Sequence, residues 1–264
     1  MPNLRGGLNR TGAGNKFEQA GFVRAAEDVK RRLIMAIDAR EKSGKSHFAL
    51  SGPEPVAVIN LDVGLDGVVQ KFQSDKEIWV QDIPVNIQEL KELTPQMAAK
   101  EADRAYQQVL KAYKAVLGEA RTIVYDNATE VWELLRMARF GKLDHVKPHH
   151  YGPVNAEYRE LIRMAYDQSV TNLILLHKMK DEYIDDKRTG LVKRAGFADT
   201  AFLVQMNALC YRGPEETVPD CFHMQIMDCR QNAELNNVDV SGADLNFPFI
   251  ATLVFPDTKE EDWL

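Results

Sequence analysis

Apolar runs long enough to cross a bilayer are missing from this chain, which excludes a membrane-spanning helix at the roughly 20 residues such a span requires. The opening MPNLRGGLNRTGAGNKFEQ has no apolar core, so no secretory signal is expected and the expected place is the cytoplasm. Cysteine is scarce. Cys210, Cys221 and Cys229 are too few for a disulfide framework, and their spacing fits no zinc template. Cys221 and His223 would share a strand face, but two residues do not make a metal centre and none is assigned. A basic excess is also lacking: the net charge is −6, so any nucleic-acid contact must come from local basic segments. There is no internal repeat and no low-complexity block.

What is present is an alternation of apolar strands with helical stretches. Residues 1–28, rich in Gly, Asn and charge, read as a flexible arm ending in a short helical turn. From Arg32 the run Leu33-Ile34-Met35-Ala36-Ile37 reads as a strand buried on both faces, as do Val56–Asp62, Arg121–Asp126 and Asn172–His177, with a further strand near Ile78-Trp79-Val80. Helices are expected over Gln88–Leu117, broken near Pro95, and over Thr129–Arg139 and Asn155–Asp167. Lys178–Arg194 reads as a charged loop. Strand-like runs Ala201–Tyr211 and Cys221–Cys229 then suggest an antiparallel extension. The expectation is an α/β domain over 29–255, a mostly parallel sheet with helices on both faces, and an acidic tail over 256–264.

Chemistry enters between the first strand and the helix after it. Ala39, Arg40, Glu41, Lys42, Ser43, Gly44, Lys45 and Ser46 have the length and ending of a phosphate-binding loop, G-x-x-x-x-G-K-[ST]. In such a loop consecutive backbone N–H groups turn inward towards phosphates, and His47 opens the helix behind. Lys45 would meet the outer phosphates of ATP and Ser46 would ligate Mg²⁺. Ala39 stands where the first glycine belongs, at a cost of about 1 kcal/mol or more if that position needs positive φ.

Asp126 closes a buried strand and would hold the Mg²⁺ shell; the alternative is a helix-capping role. Asp62, ending the strand after the loop, is the candidate for orienting water, with Asp66 as the alternative. His177, at another strand end, could sense the outer phosphate or serve structure alone.

With these residues placed, the sequence resembles the phage-type AAA/RecA-like ATPases that include small recombinases of the single-strand annealing group. The resemblance rests on Gly44-Lys45-Ser46, on Asn60–Gly64 with Asp66–Val69, on Thr122–Trp132, on Tyr151–Asn155 and on Asn172–Lys178, and it spans about residues 30–210. It implies a RecA-like fold, Mg-ATP hydrolysis, assembly of several copies, residence in the host cytoplasm, and coupling of nucleotide state to single-stranded DNA in recombination or replication. Two segments would face the DNA: Gly141–Pro153 with Lys142, Lys147 and Tyr151, and Lys178–Gly196 with Lys187, Arg188, Lys193 and Arg194. Many members carry a glutamate where Val63-Gly64 stand here. A slowly hydrolysing protein that acts through regulated assembly is the alternative.

Overall fold

The computed structural model describes residues 16, 20–22, 30–62, 64–72, 76–142, 146–213, 222–242 and 245–264. Met1–Arg31 forms a unit of its own, and most of the expected arm over 1–28 lies outside the described residues. The second unit is Arg32–Leu264.

Its strands are β1 (Ile34–Ala39), β2 (Val56–Asn60), β3 (Ile78–Asp82), β4 (Thr122–Asp126), β5 (Asn172–Ile184), β6 (Lys187–Arg194), β7 (Met206–Arg212), β8 (Phe222–Cys229) and β9 (Asp239–Ser241). β1, β2, β4 and the first half of β5 form where uninterrupted apolar runs are covered on both sides, whereas β3 and β6 are largely exposed. The order is β3-β2-β4-β5-β1-β7-β8-β9, with β6 paired to β5 outside this path. From β3 to β7 all neighbours are parallel, whereas β8 and β9 add on antiparallel. β2 and β4 are buried at every position, as strands covered on both faces must be.

Alternation then sorts side chains between two cores. One face carries Ala36, Ile59, Ile123, Tyr125 and Leu175 against α3 (Pro95–Val116), α4 (Ala128–Phe140) and α5 (Tyr151–Asp167). The other carries Met35, Ile37, Val58, Val124 and Leu176 against α1 (Lys45–Leu50) and α7 (Phe247–Val254). The RecA-like arrangement expected from the sequence is the one observed, with β5 inserted between the strand of the phosphate-binding loop and the strand of Asp126.

The long helical stretch divides at Pro95 into α2 (Ile87–Glu92) and α3, whose Thr94 caps Met97 N and whose Pro95 sits in the first turn. Ala98, Ala102, Tyr106, Val109 and Tyr113 make its buried stripe. Helix α4 ends at Gly141, where φ is +68° and a Cβ would lie 2.2 Å from the Pro95 carbonyl oxygen, so only glycine lets α3 and α4 meet there.

Four expectations shift. Lys178–Arg194 is no loop: β5 runs on to Ile184 and returns as β6, turning at Asp185 and Asp186 with φ of 50° and 60°. Solvent reaches both its strands, so no buried pattern marks them. Helix α5 starts at Tyr151 rather than Asn155, since Pro153 is tolerated in a first turn. The run from Ala201 begins as a helical turn, α6 (Thr200–Leu203), before β7. The acidic tail is not a free tail, because Trp263 is 1% exposed, stacks on Phe255 at 5.4 Å and donates to Thr258 Oγ1 at 2.9 Å.

Candidate functional site

The loop after β1 turns because of Lys42 and Gly44, with φ of 57° and 83°, and because Ser43 Oγ donates to the Arg40 carbonyl at 2.8 Å. Ala39 remains in strand geometry, paired with Lys178 and Cys210, and its φ is not positive. Alanine therefore costs no backbone strain there, and its methyl group joins the α1-side core. Gly44 differs: a Cβ would come within 2.8 Å of a Phe222 ring carbon, at a φ where side chains are strained.

Helix α1 then carries Ser46 beneath the end of β4, and Ser46 Oγ donates to Asp126 Oδ2 at 2.7 Å across 80 residues of sequence. Asp126 is 3% exposed. Burial raises its pKa, opposed by the Ser46 hydrogen bond and the nearby Lys45 charge. The helix-capping role belongs to the next residue, Asn127, whose side chain accepts from Glu130 N at 2.9 Å. A hydroxyl and a buried carboxylate held together below a lysine are hard oxygen donors that fit Mg²⁺. Among the described residues no cluster of three or more His, Cys, Asp or Glu could hold a metal unaided. Of the Cys221–His223 pair, Cys221 lies outside the described residues and His223 contacts Asp239 at 2.6 Å.

Asp62 comes to the same edge. Its Oδ2 accepts from Asn127 Nδ2 at 3.0 Å and faces Lys178 Nζ at 3.4 Å, while Lys178 also reaches Glu130 at 2.8 Å. Burial works to lower the Lys178 pKa, but Glu130 and Asp62 outweigh it and raise it. Asp66 is exposed and lies on an open cleft of about 670 Å³ that Asn60, Asp62, Asp82 and Glu89 also line. No residue of 39–47 lines that cleft. Hydrogen bonding to Asn127 ties Asp62, rather than Asp66, to Asp126.

His177 is not brought to this group. Its parity along β5 places it with Leu173 and Leu175, on the opposite face from Val124 and therefore from Asp126. It is 0% exposed, its Nδ1 meets the Ala195 carbonyl at 3.3 Å, and burial first, with Arg194 second, lowers its pKa to about 3. A neutral, enclosed imidazole faces the Ala195 carbonyl and lies on the other side of the sheet from Asp126.

Sequence reasoning missed Asn127, Glu130 and Lys178. The signal was parity: Lys178, one residue past His177, falls on the other side of β5.

The basic residues divide. Lys142, Lys147, Lys187, Arg188 and Lys193 are exposed, the last two pairing with Asp181 at 2.7 Å and Glu182 at 3.6 Å. Arg194 turns inward instead, its Nε 2.6 Å from Asp38, so it presents no charge to a polymer. Tyr151 is half-buried, with Phe140 at 5.2 Å, the Arg136 guanidinium 5.5 Å from its ring centre, and its hydroxyl accepting from Arg136 at 2.9 Å. Its ring is packed within the protein and is no free platform for a base. No described helix is long and apolar enough to cross a membrane.

Among solved structures the chain is similar to a RadB recombinase, with TM-score 0.47 and 10% identity over 79% of this chain and 86% of that one. It is also similar to a separately solved ATPase domain, with TM-score 0.43 and 14% identity over 81% of each chain. Both are distant likenesses. No curated protein matches the sequence. A family model described as an AAA domain matches residues 31–205, more than half of the chain and all of the group around Ser46 and Asp126. The chain therefore belongs to the AAA domain family, as a P-loop NTPase.

Proposed function

We propose that this protein is an ATPase that binds Mg-ATP at Lys45, Ser46 and Asp126 and couples its nucleotide state to single-stranded DNA, working as an assembly of several copies. The observation that carries the reading is the 2.7 Å contact between Ser46 and Asp126, which holds a hydroxyl and a carboxylate ready for a hydrated divalent ion. Such an ion would neutralise charge developing on the outer phosphates. Lys45 would hold those phosphates as a point charge. Asp62, kept in place by Asn127, would orient the attacking water.

Coupling to DNA is supported by the path of β5. It passes the Asp126 strand, carries Lys178 to Asp62, and continues into the projecting hairpin with Lys187, Arg188 and Lys193. The pairs made by Arg188 and Lys193 lie at the surface, where solvent screens them, so phosphates could displace their acidic partners at little cost. Tyr183, 57% exposed on the same hairpin, takes over from Tyr151 as the aromatic on which a base would stack.

A slowly hydrolysing protein acting through assembly is the second reading. It is favoured by the Lys178–Asp62 contact, in which the ammonium occupies a carboxylate oxygen that orienting water would need. ATP turnover measured alone and with single-stranded DNA, duplex DNA and RNA separates the two. Stimulation by single-stranded DNA supports the first reading, and slow turnover insensitive to all three polymers supports the second.

A further inference from the structure

Arg194 is one basic residue among several in the sequence, but its position in the fold is unlike theirs. It ends β6, the returning strand of the hairpin. Its side chain is 12% exposed and that of Asp38 is 18% exposed. The guanidinium donates from Nε to Asp38 Oδ1 at 2.6 Å and from Nη2 to Asn207 Oδ1 at 2.8 Å. Asn207 in turn donates to Asp228 at 3.0 Å and to the Ala201 carbonyl at 3.0 Å. The end of β6 is thus fixed to β1 and β7 by one planar cation, and through Asn207 to β8.

Asp38 is the residue immediately before Ala39, where the phosphate-binding loop leaves the sheet. Just beyond Arg194 the chain is pinned again. The Ala195 carbonyl accepts from Thr129 Oγ1 at 2.8 Å, Thr129 Oγ1 accepts from Lys178 N at 3.0 Å, and Gly196 crosses His177 so closely that a Cβ would lie 3.3 Å from its ring. The hairpin therefore has two roots. Along β5 it leads through Lys178 to Asp62, and along β6 it leads through Arg194 to Asp38.

We propose that Arg194 is a positioning residue that locks the root of the hairpin to the end of β1, so that a shift of the hairpin is felt where the phosphate-binding loop begins, and nucleotide binding is felt at the hairpin tip. This rests on the reading of the loop as a Mg-ATP site. Two close hydrogen bonds in a fixed fork make the link stiff, and lysine cannot reproduce both. An isolated charge at Asp38 would be unfavourable in so enclosed a place, where burial already raises the carboxyl pKa against the pull of Arg194.

The test uses the full chain with Cys221→Ser and Ile184→Cys, labelled at the exposed hairpin tip with an environment-sensitive fluorophore. Cys210 and Cys229 are buried and resist labelling. Mg-ATP binding is followed separately by calorimetry. The parent should change its tip emission with a midpoint matching the calorimetric Kd. Arg194→Gln should still bind Mg-ATP yet lose most of the tip response, on the order of fivefold or more, and Arg194→Lys should recover part of it. Arg163→Gln, which breaks a surface pair with Glu160 on α5, should keep the full response.

If Arg194→Gln does not fold, the double variant Asp38→Asn/Arg194→Gln, which leaves no lone charge, takes its place. A full tip response in either variant overturns the proposal, as does a parent that binds Mg-ATP without any response. A parent that binds no Mg-ATP by calorimetry overturns the nucleotide reading itself, and this proposal with it.

Discussion

Replacing Ser46 by Ala removes one oxygen from the site and nothing from the core, which makes its consequences calculable. What disappears is a 2.7 Å hydrogen bond to a carboxylate that is 3% exposed. Hydrogen bonds to charged groups contribute about 1.5–3 kcal/mol. Each kcal/mol moves the melting temperature of a domain of this size by about 2–4 °C, so the apo protein should melt roughly 3–12 °C lower.

The deficit should depend on pH in a definite direction. The Ser46 hydrogen bond favours the ionised form of Asp126 and pulls down a pKa that burial raises. Its stabilisation is therefore present where Asp126 is ionised and disappears as pH falls through the folded-state pKa. Thermal unfolding followed by circular dichroism from about pH 4 to about pH 8 reads this, with the gap between parent and variant widening as pH rises. Ser46→Thr, which keeps the hydroxyl, should melt close to the parent. In turnover assays Ser46→Ala should lose its response to magnesium, and Ser46→Thr should retain it. Equal melting of Ser46→Ala and parent at every pH, together with an intact magnesium response, would refute the hydrogen bond and its role.

Asp126→Asn should show the opposite balance, stabilising the apo protein while abolishing Mg²⁺-dependent turnover. With a folded-state pKa raised above the unfolded value of 3.8, ionisation of Asp126 opposes folding as pH rises, so the variant's advantage in melting temperature should grow from acid towards neutral pH; a variant less stable than the parent at neutral pH contradicts this. Asp62→Asn should lower turnover tenfold or more, about 1.4 kcal/mol of barrier, while leaving nucleotide affinity within a few-fold. An equal loss in both quantities would make Asp62 a binding residue instead. Replacing Lys187 and Arg188 together by Ala should flatten the plot of log DNA affinity against log salt by roughly 0.7 for each phosphate no longer neutralised, whereas Tyr183→Ala should lose about 1–3 kcal/mol and leave the slope alone. Unchanged anisotropy titrations for both would remove the hairpin from the DNA surface.

The parts of this architecture legible in the sequence are those where burial is two-sided. β1, β2, β4 and the first half of β5 are continuous apolar runs, and each ends within a residue or two of a chemical group at the sheet's edge. Asp126 could be named because the buried strand β4 ends on it, and Lys45 and Ser46 because the loop after β1 opens directly into α1. The hairpin was not legible, because Lys178–Arg194 has no apolar face and its pairing is carried by backbone hydrogen bonds and the Asp185–Asp186 turn. His177 and Arg194 were misplaced for one reason. Residue type alone does not tell which face of a sheet a side chain takes, and for His177 that face is the one covered by α3, α4 and α5, while Arg194 folds inward onto Asp38. Counting parity from Leu173 and Leu175 would have enclosed His177 and freed Lys178 for Asp62.

The central claim, a nucleotide site built on Lys45, is tested most directly by isothermal titration of Mg-ATP into the parent and into Lys45→Ala, with circular dichroism to establish that both are folded. The parent should bind one Mg-ATP per chain and the variant should show no measurable heat at the same concentrations. A folded Lys45→Ala protein that binds Mg-ATP with the parent's affinity would contradict the account.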